Sequence, residues 1–78
     1  MARMVYRARL KSRTALREAM QAKRVPVRVL AERAGCGKSI VGLLRSGARS
    51  SCSPELAAKL AAALDVPAEH LFRIEEKG

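Results

Sequence analysis

Lysine and arginine are the residues of this chain best equipped to do chemistry: 16 of them stand against seven acids, for a formal net charge of +9 over 78 residues. Their side chains donate to phosphate oxygens, and a charge this large on so small a body attracts polyanions. The charge is also unevenly placed. Residues 1–52 hold 13 Lys and Arg against Glu18 and Glu32, whereas residues 53–78 hold three against five acids. A basic working end and a near-neutral supporting end follow from that split. Arg28, Arg45 and Arg49, with Lys23 and Arg24, crowd the middle of the chain. Arg3, Arg7 and Arg9 lie near its start, where they could reach around a duplex or into a minor groove.

Other chemistries lack their parts. Gly37-Lys38-Ser39 imitates the end of a phosphate-binding loop, but the glycine required five positions earlier is Glu32. His70 is the single histidine and has no second His or Cys at ligand spacing, so it reads as a surface or helix-terminal residue and no metal site is expected. The serines cluster in a basic stretch without a base to activate them, so no enzyme activity, small-molecule substrate or cofactor is expected. Two cysteines are too few for a disulfide framework and fit a reducing, cytoplasmic setting. Cys36 reads as a buried, inert thiol; Cys52 either packs beneath the connection that follows the third helix or stays partly exposed and oxidisable. The first 13 residues contain no apolar run of seven, which argues against a signal peptide or a membrane span, and no membrane partner is expected.

Helices must position those cations. The apolar share, 49%, is mainly Ala, Leu and Val with one Tyr, one Phe and no Trp, a mixture that favours helix. Residues 4–11 are the exception, because Met4, Tyr6, Ala8 and Leu10 alternate with Val5, Arg7, Arg9 and Lys11. That period reads either as a short strand, for which residues 71–75 are a candidate partner that would bring Glu75 near the arginines, or as a basic arm ordered by phosphates. A first helix, capped by Ser12 or Thr14 and carrying Leu16, Ala19 and Met20, runs to about Lys23. Pro26 sets up a second, with Val27, Leu30, Ala31 and Ala34 as its apolar stripe, and Gly35 ends it. Ala34-Gly35-Cys36-Gly37 is then a tight turn into a third helix over residues 38–46, with Val41 and Leu44 inward and Gly47 as its stop before a polar loop over residues 48–52. Ser53-Pro54-Glu55 starts a fourth with Leu56, Leu60, Ala61 and Leu64, and residues 67–72 close the core with Leu71 and Phe72.

Two short helices separated by a glycine turn are the spacing that lets one lie in a major groove while the other braces it. From Leu30 to Ser50 the chain resembles the Cro and phage-repressor type, or XRE-like, helix-turn-helix family, matching its pattern at Leu30, Ala31, Gly35, Val41, Leu44 and Gly47; Ser53 through Phe72 look like that family's fourth and fifth helices. The likeness covers about residues 13–72. It implies a compact all-α, five-helix, lambda-repressor-like domain that binds double-stranded DNA, with a short N-terminal strand as the one addition the alternation allows. It also implies base contacts from Lys38, Ser39, Gly42 and Leu43, and phosphate contacts from Ser46, Arg49 and Ser50. Where the family has polar residues, this chain has Gly37, Gly42 and Leu43. Leu43 can only touch a thymine methyl or pack on protein, so readout would lean on DNA shape.

The expectation is therefore an arm or strand over residues 1–12, a helix-turn-helix domain over 13–72 and a tail over 73–78. Its function is sequence-specific binding of duplex DNA by a repressor or Cro-like transcriptional regulator, with a homodimer among its partners, in the cytoplasm of a bacterium or phage-infected host. The length leaves no room for an effector-sensing domain. Two alternatives stand beside it: a protein-binding module such as an antitoxin, and an RNA or nonspecific nucleic-acid binder. Scarce aromatics argue against a binder of single strands.

Overall fold

Period-two alternation decides the start of the chain. The structure, a computed structural model, describes residues 5–76, and Tyr6–Leu10 form strand β1. Ala8 and Leu10 are buried against the helices while Arg7 and Arg9 take the outer face, as alternation requires. Met4 lies outside the described residues. Six further elements share the chain with β1 and a closing strand: α1 (Ala15–Lys23), α2 (Val27–Ala34), α3 (Lys38–Ser46), β2 (Ser51–Cys52), α4 (Pro54–Ala63), α5 (Ala68–Leu71), and then β3 (Phe72–Glu76).

The all-α expectation is overturned: a three-stranded antiparallel sheet, ordered β2-β1-β3, stands beside the five helices, making this a mixed domain. β1 pairs with β3 from Tyr6↔Glu76 to Leu10↔Phe72, and with β2 at Ala8↔Cys52 and Arg9↔Ser51. Two local causes were hidden by the helix-favouring composition. Phe72, assigned from sequence to the last helical turns, leaves α5 with extended backbone (φ −128°, ψ 151°) and starts a Phe-Arg-Ile segment suited to a pleated, half-buried surface. Ser51 and Cys52, read as loop, run beside β1 and let Cys52 bury its side chain. Residues expected to be a tail are thus strand as far as Glu76.

The helices follow their punctuation. Ser53 accepts the Leu56 N–H at 3.1 Å, with Pro54 in the first turn of α4. Gly35 (φ 68°) and Gly47 (φ 84°) end α2 and α3 in the left-handed conformation that Gly adopts without strain. At α1 the expected side-chain cap is absent. The Thr14 hydroxyl donates to the Glu18 carboxylate instead, and only the Thr14 carbonyl serves the helix, accepting Glu18 N–H at 2.8 Å.

Leu16, Leu30, Val41, Leu44, Leu60 and Leu64 are the largest fully buried side chains, drawn from α1 through the end of α4. Ala8, Leu10, Cys52 and Phe72 extend that core onto the sheet. Leu10 N–H donates to Ser50 O at 2.8 Å, which fixes the loop after α3 to β1. None of the helices is long and apolar enough to cross a membrane among the described residues.

Candidate nucleic-acid interface

Val41 and Leu44 are fully buried and Ile40 packs partly against the core, so α3 turns its remaining side chains out. Lys38, Ser39, Leu43, Arg45 and Ser46 are exposed and Gly42 is partly so. A Cβ built on Gly42 would meet nothing within 4 Å, which leaves a shallow notch in the middle of that face. Gly37 offers no side-chain oxygen, so it caps none of the first amides of α3, which stay as donors suited to an anion.

Three basic grooves flank α3. Arg28 and Lys38 line one with Glu32, Cys36 and Gly37, at the junction of α2 with the turn. Arg24 and Arg45 line a second, beside Pro26 and Val27. Arg9, Lys11, Arg13, Arg49 and Ser50 line the third, where the end of β1 meets the loop after α3. In the sequence Lys11 reads only as part of the alternating segment, and neither it nor Arg13 is singled out as a phosphate contact. The signal was the basic run itself, Arg9-Leu10-Lys11-Ser12-Arg13. Arg13 also explains a second demand on Gly47, since its side chain and carbonyl would lie 3.2 Å from a Cβ there.

Hydrogen bonds sort the remaining candidates. The Ser46 hydroxyl donates to Leu43 O at 3.1 Å and accepts Ala48 N–H at 3.3 Å, so it closes the end of α3 and has no proton to spare for a phosphate. Arg49 uses Nε on Ser51 O at 2.9 Å and keeps its two terminal nitrogens for another acceptor. Ser50 accepts from Arg9 at 3.4 Å and retains its own hydroxyl proton. Arg7 and Arg9 are not on a free arm: both hold Glu75, at 3.4 and 2.8 Å, and the hydrogen bond from Arg9 is the foremost cause that lowers the Glu75 pKa. Arg3 lies outside the described residues. Among the described residues there is no group of three or more His, Cys, Asp or Glu placed to hold a metal ion.

Among solved structures, the chain is similar to the restriction-modification controller protein C.AhdI from Aeromonas hydrophila, at 34% identity over 74% of this chain and 86% of that one, with a TM-score of 0.67. The chain belongs to the XRE-like helix-turn-helix family. Within that DNA-binding family of transcription regulators, α2 and α3 are the helix-turn-helix pair. No family model and no curated protein matches the chain. The sheet formed by β1, β2 and β3 places Arg9 and Lys11 next to the loop that follows the second helix of the pair.

Proposed function

We propose that this domain binds specific sequences in double-stranded DNA as a homodimeric transcriptional repressor or Cro-like regulator, with α3 in the major groove. It works in the cytoplasm of a bacterium or a phage-infected host. Lys38, Ser39, Gly42 and Leu43 face base edges; Arg28, Arg45, Arg49 and Ser50 hold phosphates on either side, with Ser46 supporting the end of the helix. The observation that carries this reading is the exposed, cation-bearing outer face of α3 flanked by three basic grooves. The likeness to a controller protein of a restriction-modification system points the same way. Lys38 can donate to guanine acceptors, and the notch at Gly42 lets backbone approach a base edge.

One feature favours a second reading. Leu43, 44% exposed at the centre of the same face, suits an apolar contact with a protein. Fluorescence anisotropy with a random duplex library at several salt concentrations separates the two. Lys38→Ala is expected to relax sequence preference, and Arg49→Ala to weaken all duplexes alike while reducing the log-log salt slope by about 0.9. Equal affinity for every duplex would remove the regulator reading, and no affinity for any would leave the protein-binding one.

A further inference from the structure

Arg9, Lys11, Arg13 and Arg49 converge on a groove of about 240 Å³ between the end of β1 and the loop after α3, and no acid lines it. Of the four, only Arg9 has a carboxylate partner among the described residues, so Lys11, Arg13 and Arg49 leave uncompensated charge together. Like charges on a solvated surface spread apart where they can. Here they are held. Arg9 donates to the Glu75 carboxylate at 2.8 Å and to the Ser50 hydroxyl at 3.4 Å, and Arg49 Nε donates to Ser51 O at 2.9 Å. Lys11 N–H is tied to Leu71 O at 2.9 Å, and Arg13 packs over Gly47 with its Nε 3.2 Å from where a Cβ would stand.

The lining selects the anion. Guanidinium and ammonium donors suit phosphate oxygens. No aromatic side chain lines the groove and Leu10 is buried, so nothing offers a base a stacking face. A phosphate carried on a duplex backbone therefore fits better than a nucleotide or an unpaired strand. Position in the fold says which backbone. Gly47, in the wall of this groove, ends α3, while Lys38 at the other end of α3 lines a second basic groove with Arg28. At a rise of about 1.5 Å per residue, the nine residues of α3 set these two sites ~14 Å apart along its axis, close to the ~12 Å width of a major groove.

We propose that this groove is a phosphate clamp for duplex DNA. Lys11 and Arg13, from the segment joining β1 to α1, act in it with Arg49 to seat the backbone that borders the major groove at the far end of α3. The N-terminal strand is thereby part of the DNA-binding surface, and the bond from Leu10 N–H to Ser50 O sets the clamp at a fixed distance from the reading helix. Touching phosphate alone, the clamp adds affinity and register but no sequence preference. It deepens the duplex-DNA reading and rests on it, adding residues outside the helix-turn-helix pair.

Cations beside the C-terminus of a helix also steady it against its own dipole, so the decisive readout is one that stability does not move. Anisotropy titrations of the intact chain with a labelled duplex chosen from the random library, from about 50 to 200 mM salt, are expected to give Lys11→Ala and Arg13→Ala log-log slopes shallower than wild type by about 0.9 each. Over that range each variant loses about 3.5-fold less affinity than wild type, with sequence preference unchanged. Arg33→Ala, at the junction of α2 with α4, is expected to keep the wild-type slope. Methylphosphonate substitutions, each removing one phosphate charge from the duplex, keep the proposal testable should Arg13→Ala loosen the fold. At one or two phosphates, neutralisation is expected to weaken binding by wild type and to leave Lys11→Ala unaffected. Wild-type slopes in both variants, with every neutralised phosphate weakening Lys11→Ala as much as wild type, overturn the clamp. Lowered denaturant midpoints in both variants would then assign the cations to the end of α3, and a midpoint raised by inorganic phosphate in wild type alone would assign them to a free anion. Failure of the DNA reading looks different: equal affinity for every duplex with shallower slopes in the variants keeps the clamp and removes the regulator, and no affinity for any duplex removes both.

Discussion

The two thiols show how far a single residue's surroundings can be read from sequence. Cys36 was expected to be buried in the turn and is instead half-buried, at the rim of the groove that Arg28 and Lys38 share. Cys52 had two open readings, and the structure selects packing: it is 5% exposed, held under β1 by the Ala8↔Cys52 pair. The Cys52 outcome was not legible, because it depends on a strand pair formed by residues more than 40 positions apart in the chain. Burial pushes the Cys52 thiol above its usual pKa, outweighing the opposite pull of Arg49. Reaction requires the thiolate and access to it. In native protein a small disulfide reagent is therefore expected to label Cys36 promptly and Cys52 only as fast as the domain opens; equal rates at both thiols would contradict this placement. By contrast, the exposure of Ser39 was legible, since burying Val41 and Leu44 turns it to the opposite side of a 3.6-residue period, and Lys38 is exposed beside it as the first residue of α3. Ser46 was legible in position only. Its hydroxyl is committed to the end of α3, a bond that spacing does not reveal.

At the scale of elements, chain punctuation located α2, α3 and α4 almost to the residue, because Pro26, Gly35, Gly47 and Ser53-Pro54 act on backbone near themselves in sequence. Alternation offered β1 as one of two readings, with the chain's end as a candidate partner, and the structure selects the strand and that pairing; β2 is two residues long and too short to show a period. The glycines of α3 illustrate the two kinds of local demand. Gly42 is interior to the helix with open space around it, so Gly42→Ala is expected to stabilise the domain by about 0.5–1 kcal/mol. Gly47 has φ 84° and Arg13 against it, so Gly47→Ala is expected to cost about 1–2 kcal/mol. Denaturant midpoints at constant slope measure both, and a Gly47→Ala protein as stable as Gly42→Ala would refute the assignment of these roles. The sheet makes its own demand on pH. Because the arginines lower the Glu75 pKa in the folded state, the stabilisation it brings is present above the ordinary glutamate range and fades as pH falls through the lowered value. Glu75→Gln is accordingly expected to lose stability relative to wild type at neutral pH, with the gap between the two closing in acid. An unchanged gap across that titration would show that the carboxylate is not what ties β1 to β3.

For the whole molecule, the separation of basic and near-neutral ends seen in the sequence survives folding, with the basic residues at α3, its flanking loop and the outer face of β1. What the sequence alone left undetermined at this scale was how a chain of 78 residues completes its core. Five helices supply the large leucines, yet Ala8, Leu10, Cys52 and Phe72 enter from strands, so the sheet is part of the folding unit and not an appendage. A domain of this size rarely has more than ~3–5 kcal/mol of net stability. Truncating a fully buried leucine costs about 2–5 kcal/mol, which places Leu30→Ala near its unfolding midpoint in dilute buffer. Leu30 lies on the core side of α2 and presents nothing to a groove, so its loss leaves the reading face chemically unchanged. A ligand that binds only folded protein then restores the fold by mass action, with ~2.7 kcal/mol at a hundredfold excess over Kd. Helical circular dichroism of Leu30→Ala is therefore expected to recover on titration with a bound duplex, in proportion to that duplex's affinity for the wild type. The same titration at high salt is expected to recover less, because the linkage acts through phosphate contacts. Recovery that ignored both duplex affinity and salt would mean that the basic face and the core are not coupled as one cooperative unit, and DNA would then be stabilising something other than this fold.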